Sequence, residues 1–102
     1  MTQDQQPQVL VLVRLKSKLP REELVQRYKE RMPDFRALTG LIQKYYVEDP
    51  ATGEIGGLYL WDSKESLDSY MQSELRKTIG SIYEAVELPR VEVVTVIDIL
   101  RA

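Results

Sequence analysis

The chain has 102 residues, of which 43% are hydrophobic and 29% are charged, so its length suits one domain with a single hydrophobic core. Fourteen basic residues against sixteen acidic residues give a net charge of -2, which argues against binding to nucleic acid or to an anionic membrane. No apolar run approaches the roughly 18 residues of a membrane-spanning helix, and the polar start "MTQDQQPQ" lacks the features of a signal peptide. We therefore expect a cytoplasmic location.

The chain contains neither cysteine nor histidine, and both absences bear on its chemistry. Without cysteine there are no disulfides and no thiolate nucleophiles, which agrees with a reducing compartment. Without histidine the chain lacks the commonest metal ligand and the side chain best suited to acid-base work at neutral pH. The composition therefore excludes Ser-His-Asp and Cys-His catalysis and predicts no metal site. Any catalysis has to use Tyr, Lys, Arg, Asp, Glu or Trp.

The first third of the chain predicts a disordered tail, a strand and a helix. Residues 1–7 are polar and are expected to be disordered. The run "VLVLVRL", residues 9–15, is β-branched and apolar, as is typical of a strand. Pro20 suits the first helical turn, and the helix that follows carries an apolar stripe formed by Leu24, Val25, Tyr28, Met32 and Phe35. Pro33 predicts a kink or a break, with residues 33–38 as a short second segment.

The middle of the chain predicts a β-hairpin. Gly40 is placed where a left-handed helix cap needs it, and "LIQKYYVE", residues 41–48, is typical of a strand. A polar turn with Pro50 and Gly53 leads to the third strand, residues 55–61.

The last third predicts a helix and a final strand. Asp62 or Ser63 caps the second helix, and Glu65 lies three residues after Asp62, as in a capping box. The pattern of residues 78–86 leaves a helix and a loop equally open. The run "RVEVVTVIDIL", residues 90–100, is a clear strand.

The order β-α-β-β-α-β predicts an α+β, ferredoxin-like fold in which both helices cover one face of a four-stranded antiparallel sheet. The first and last strands, however, are apolar on both faces. A bare apolar sheet face is a larger patch than soluble monomers usually tolerate. We therefore predict a homodimer in which two sheets pack face to face. Arg14 is an isolated charge in the first strand, and an ion pair with Glu92 or Asp98 is expected.

The run "GLIQKYYVEDPATGEIGGLYLWDSKESLDSYM", residues 40–71, resembles the antibiotic-biosynthesis monooxygenase-like group of dimeric α+β barrels, specifically its YdhR-like branch. The matching features are Gly40 with an apolar pair, Lys44 and Glu48 in the second strand, the "GGLYLW" strand, and a helix that opens with "SKESLDSY". The remaining strand order is compatible with this family over nearly the whole chain.

The resemblance implies a pocket between the helices and the sheet, and a reaction that needs no cofactor. In such relatives a bound hydroxyarene is deprotonated, passes one electron to O2, and ends as a quinone. A small aromatic or polyketide-type substrate is therefore expected. Haem-degrading relatives use a histidine ligand, which this chain lacks.

Three residues are candidates for catalysis: Lys44, Glu48 and Tyr59. Lys44 and Glu48 share a strand face with Ile42 and Tyr46. If that face is buried, Lys44 can bind a phenolate and Glu48 can act as the base; the alternative is an exposed ladder of charges. Tyr59 can donate a hydrogen bond to a substrate oxygen, or it can simply stack on Trp61.

The candidate substrate-binding residues are Tyr28, Tyr46, Gly56, Gly57, Trp61 and Tyr70. The two glycines leave space beside the aromatic residues of their strand, although a β-bulge or a close helix approach would also explain them. For Trp61 and the two helical tyrosines, core packing is the alternative. Two other functions stay open at this point, a non-catalytic small-molecule-binding module and a carboxylate-dependent isomerase or lyase.

Overall fold

The computed structural model describes residues 6–101. Its elements, in chain order, are β1 (Val9–Leu15), α1 (Arg21–Arg36), β2 (Leu41–Glu48), β3 (Ile55–Trp61), α2 (Lys64–Met71), α3 (Glu74–Lys77), α4 (Ile79–Ile82) and β4 (Arg90–Thr95). Of the tail predicted to be disordered, residues 1–5 lie outside the described residues, and Gln6 and Pro7 precede β1 without regular secondary structure.

The four strands form one antiparallel sheet in the order β2-β3-β1-β4. Its central strand, β1, places Val11 opposite Tyr59 on one side and Val93 on the other. The α+β, ferredoxin-like fold predicted from the sequence is therefore confirmed. Within residues 6–101, no helix is both long and apolar enough to cross a lipid bilayer.

The core lies between the helices and one face of the sheet. Alternate residues of β1 point into it, and the buried ones are Val9, Val11, Val13 and Leu15. An aromatic cluster fills the space between β3 and the helices. The ring centroid of Tyr70 lies 5.3 Å from that of Trp61 and 5.7 Å from that of Tyr59. Trp61 is fully buried, and the tilted ring geometries are those that aromatic quadrupoles favour.

Helix α1 runs through Pro33 as a single element, so the predicted break is wrong. Proline removes only one backbone donor, and the backbone N–H of Ala37 still donates to the carbonyl of Pro33 at 3.1 Å. Phe35, two residues further on, is buried in the core and holds the last turn against the sheet. At the other end Pro20 lies one residue before the helix rather than within its first turn.

Helix α2 is capped by Ser63, whose hydroxyl accepts the backbone N–H of Ser66 at 3.1 Å. Ser66, rather than Glu65, completes the hydrogen bonds at this end, because its hydroxyl donates to Asp62 at 2.7 Å. Gly40 has the left-handed φ of 85° predicted for it. It also lies against α2, where a Cβ atom would be 2.0 Å from the Ser66 hydroxyl oxygen.

Strand β4 ends at Thr95 and not at Leu100 as predicted. Thr95 is already opposite Val9, the first residue of β1, so the residues beyond it have no strand to pair with. Ile97 and Leu100 are 97% and 94% exposed. The undecided stretch 78–86 contains the short helix α4.

Arg14 forms its ion pairs on the outer face of the sheet. Its guanidinium lies 2.8 Å from the carboxylate of Asp49 and 3.8 Å from that of Glu92. The predicted pair with Glu92 is therefore confirmed, whereas Asp98 is not its partner and the nearer one, Asp49, comes from the hairpin turn.

The two glycines of β3 do not form a β-bulge, because the register between β1 and β3 is continuous. The bulge lies in β2 instead, between Leu41 and Gln43. A Cβ atom on Gly56 would lie 1.7 Å from the backbone oxygen of Val13, so this glycine lets two strands approach each other.

We expect Gly56→Ala to lower the free energy of unfolding by about 1–3 kcal/mol, because the new methyl group overlaps backbone that cannot move freely. Gly80→Ala is the matched control. Gly80 lies in α4, and a Cβ atom there meets nothing within 4 Å. This substitution should raise the free energy of unfolding by about 0.5–1 kcal/mol. Urea denaturation measures both, and equal effects of the two substitutions would contradict the role given to Gly56.

Candidate functional site

A cavity of about 130 Å³ lies between α1 and the inner face of β2 and β3. We call it the α1 cavity. Its walls include Leu24, Val25 and Tyr28 from α1, Lys44, Tyr46 and Glu48 from β2, Gly56, Gly57 and Tyr59 from β3, and Ile79 and Tyr83 from the segment around α4. An apolar cavity of about 150 Å³ is known to hold one benzene ring. The α1 cavity therefore has the dimensions of a single aromatic ring.

Side chains along β2 alternate between the two faces of the sheet, and this alternation brings three of its polar residues to the cavity. Lys44, Tyr46 and Glu48 point inward, opposite Tyr59, Gly57 and Ile55 respectively. Seven of the nine residues predicted from the sequence therefore lie together in the cavity wall.

Gly57 makes room for Lys44. A Cβ atom on this glycine would lie 2.9 Å from Cε of Lys44 and 3.0 Å from the ring of Tyr59. The aliphatic part of the Lys44 side chain therefore lies over Gly57, in the space that the missing side chain leaves. Of the explanations open from the sequence, space beside the aromatic residues is the one that the geometry supports for Gly57.

The amino group of Lys44 is surrounded by aromatic faces. Its Nζ atom lies 3.5 Å from the ring centroid of Phe35, 4.5 Å from that of Tyr46 and 4.7 Å from that of Tyr59. Throughout residues 6–101, no carboxylate lies within ion-pairing distance of this nitrogen. A buried ammonium without a counter-charge is costly, and the aromatic faces offset part of that cost.

Burial and, as the smaller effect, the positive charge of Arg31 together lower the pKa of Lys44 to about 7. Arg31 is itself buried, and its guanidinium donates to the backbone oxygen of Leu75 at 2.6 Å and to the hydroxyl of Thr78 at 3.2 Å. These bonds hold a second cation close to the first. Near neutral pH, Lys44 is therefore present in comparable amounts as ammonium and as free amine.

Tyr46, Tyr59 and Tyr83 of the cavity wall remain protonated at neutral pH. Burial raises the pKa of Tyr59 well above its ordinary value, raises that of Tyr46, and raises that of Tyr83 to about 12. Their hydroxyl groups can therefore donate hydrogen bonds but do not act as bases. Tyr28 stacks on Tyr46 with ring centroids 4.5 Å apart and forms a flat wall beside Lys44.

Glu48 lies at the mouth of the cavity rather than inside it. Its side chain is 43% exposed and forms an ion pair with Arg21, which also lines the mouth. The burial that would make Glu48 a base is thus missing. Of the two alternatives considered for this strand face, neither holds for both charges, since Lys44 is half-buried and Glu48 is exposed.

Trp61 and Tyr70, predicted to bind substrate, do not line the α1 cavity. Both are buried in the aromatic cluster of the core, so core packing is the role that the structure gives them. The sequence analysis missed Tyr83, because the segment 78–86 had no decisive pattern, and Arg31, because it lies on the buried side of a helix rich in charges. No group of three carboxylates among the described residues is arranged to hold a metal ion.

The sequence model of the family described as "Putative mono-oxygenase ydhR" matches residues 10–98. The chain belongs to this family. The match covers all four strands and α1, including the β2 and β3 residues of the cavity wall. Among curated proteins, none matches the sequence significantly.

Solved structures share the fold at low sequence identity. A "putative antibiotic biosynthesis monooxygenase" from Caulobacter crescentus is 15% identical, with a TM-score of 0.74 over 92% of this chain and 93% of the other. SnoaB, a cofactor-independent oxygenase from Streptomyces nogalater, is 9% identical, with a TM-score of 0.73 over 95% of this chain and 100% of the SnoaB chain. Rv0793 from Mycobacterium tuberculosis is 20% identical, with a TM-score of 0.71 over 91% and 98% of the two chains. At these identities the likeness shows the fold alone.

Replacing Lys44 by methionine should change how stability depends on pH. Between pH 7 and the ordinary lysine pKa of 10.5, the native protein has lost the Lys44 proton while the unfolded chain still binds it. The unfolded state then binds more protons, so the free energy of unfolding of the wild type rises with pH relative to Lys44→Met, by up to about 1.4 kcal/mol per pH unit.

Chemical denaturation at pH 7, 8 and 9 measures this slope. Lys64→Met is the control, because Lys64 is exposed on α2 beside Asp68. Parallel curves for the wild type and Lys44→Met would contradict the environment assigned to Lys44.

Proposed function

We propose that the protein is a cofactor-independent monooxygenase that oxidises a small, electron-rich phenol bound in the α1 cavity. The observation that carries the proposal is the half-buried amine of Lys44, which lies among aromatic rings in the cavity wall and has no carboxylate partner among residues 6–101. Family membership supports monooxygenase activity. SnoaB, which has the same fold, is a cofactor-independent oxygenase.

The first step is a proton transfer to Lys44. A base works best when its pKa lies near the working pH, and a pKa of about 7 meets this condition. The amine takes the phenol proton and becomes an ammonium ion beside the phenolate. Because the surroundings are apolar, this ion pair is stabilised more strongly than it would be in water.

The second step belongs to the substrate and O2. The phenolate passes one electron to O2, and the aryloxyl radical and superoxide combine at a ring carbon. The peroxide takes back the proton that Lys44 holds, and the resulting hydroperoxide loses water, formed from its terminal OH group and the hydrogen of the same ring carbon, which leaves a carbonyl group. One oxygen atom of O2 thus enters the quinone, the other leaves as water, and no outside reductant is needed.

The other cavity residues position the ring. Tyr59 is buried and protonated, so its hydroxyl can donate a hydrogen bond to a substrate oxygen. The stacked pair of Tyr28 and Tyr46 offers a flat face to the ring. A volume of about 130 Å³ favours a single-ring compound over a polycyclic one, since pockets for larger ligands measure about 300–1,000 Å³.

Oxygen uptake with resorcinol, a single-ring phenol, tests the proposal. The wild type should consume one O2 per quinone formed, and 18O2 should place one labelled atom in the quinone. Lys44→Met should lower kcat/KM by about 10²–10⁴-fold, the usual contribution of a positioned acid-base group. Lys64→Met should leave the rate unchanged, and Glu48→Gln should lower it less than tenfold, because the carboxylate lies at the mouth.

Two outcomes would contradict the proposal, and each favours one of the other functions. Binding of single-ring phenols without oxygen uptake would indicate a non-catalytic binding module. A product of unchanged oxidation state, together with a large effect of Glu48→Gln, would indicate a carboxylate-dependent isomerase or lyase.

We also propose that the protein is a homodimer formed through the outer face of the sheet. That face carries Leu10 and Leu12 of β1 and Leu58 and Leu60 of β3, while the helices cover the opposite face. Tyr45 and Val94, on the same side, are 52% and 56% exposed. Burial of such a face at about 25 cal/mol per Å² is a strong driving force for association. The cytoplasmic location expected from the sequence stays a prediction.

Sedimentation at micromolar concentration should therefore give the mass of two chains. Leu58→Glu places a charge in the middle of the outer face and should shift the species to the mass of one chain. Gln72→Glu adds the same charge on the helical side and should leave the dimer intact. A wild-type protein that sediments as a single chain would contradict the dimer.

A further inference from the structure

The chemistry of Lys44 extends beyond proton transfer. A lysine amine attacks carbonyl carbons when it is unprotonated, and enzymes favour this state by desolvation in an apolar pocket or by a neighbouring cation. Both conditions meet at Lys44, which is enclosed by Phe35, Tyr46 and Tyr59 and has Arg31 close by.

The geometry leaves the amine accessible as well as desolvated. Lys44 lines the α1 cavity on one side and, together with Tyr46 and Phe35, an open groove on the other. Among residues 6–101 its nitrogen has no carboxylate partner, so no ion pair has to break before it reacts. The space beside it suits one aromatic ring.

We propose that Lys44 forms a reversible imine with single-ring aromatic aldehydes and ketones that enter the α1 cavity. The amine nitrogen bonds to the carbonyl carbon and gives a carbinolamine, which then loses its hydroxyl group as water. The product holds a C=N bond in place of C=O, so atoms balance and no oxidant or reductant takes part. Tyr59, as a protonated donor in the same wall, can hydrogen-bond the carbonyl oxygen during the attack.

This activity is separate from the proposed oxidation of phenols. It uses the same nitrogen in the same unprotonated form, but it needs neither O2 nor a phenol. The experiments on imine formation are therefore carried out without oxygen. Imine formation can then be measured whether or not the protein oxidises phenols.

Reductive trapping tests the proposal on the unmodified protein. Benzaldehyde and cyanoborohydride, added at pH 7, convert an imine into a stable benzylamine that peptide mapping locates. An ordinary lysine is unprotonated in about one molecule in a few thousand at this pH, whereas Lys44 is close to half unprotonated. We expect Lys44 to be labelled at least tenfold faster than any other lysine.

The same experiment in denaturant is the control. Once the chain unfolds, Lys44 returns to water, and its labelling should fall to the rate of the exposed lysines. Lys64, which is exposed on α2 in the folded protein, should react at a similar slow rate in both states.

Two variants complete the test. Lys44→Gln should remove the fast label, and Lys64→Gln, which changes an exposed lysine on α2, should leave it unchanged. The label on the native wild type should also halve near pH 7, in step with loss of the free amine. Equal labelling of all lysines in the native protein, or labelling confined to the N-terminal amine, would overturn the proposal.

Discussion

The site depends on one constraint, the partial burial of the Lys44 amine among aromatic faces, with no carboxylate of residues 6–101 within ion-pairing distance. A charged ammonium loses part of its hydration there, and the electron-rich faces of three rings, the farthest centroid 4.7 Å away, give partial compensation. Because that compensation is partial and Arg31 opposes it, the proton is held weakly. A weakly held proton in a water-poor space is what a base or a nucleophile needs at neutral pH.

Several features of the fold serve this arrangement. Gly57 leaves space on β3 for the aliphatic part of the Lys44 side chain, and Gly56 lets β3 lie close to β1. Helix α1 continues through Pro33, which keeps Phe35 in place over the Lys44 nitrogen. The tyrosines form the remaining walls without adding a second base, since burial keeps their hydroxyl groups protonated. In the proposed reaction, the Lys44 nitrogen is therefore the base.

The two faces of the sheet differ in what they contact. The inner face supports the core and the α1 cavity, and its aromatic cluster is closed around Trp61. The outer face carries four leucines of β1 and β3, and its charged residues include Arg14, Arg90 and Glu92, with Arg14 paired to Asp49 and Glu92. Association through the outer face would leave the mouth of the cavity, where Arg21 and Glu48 lie, on the helical side. Assembly and chemistry would then use separate surfaces.

Strand and helix periodicities and turn residues are local properties of the chain, so the order of the main elements, the α+β fold and the family could be predicted from the sequence. Lys44, Tyr46 and Tyr59 could also be selected as candidate site residues, although not as neighbours across β2 and β3. Lys44 is half-buried and Glu48 is exposed although both share one strand face, and this difference could not be predicted, because neither residue type determines where α1 lies over the sheet. The same holds for Trp61 and Tyr70, which pack into the core, and for Arg31, whose effect on Lys44 arises from a contact between distant parts of the chain.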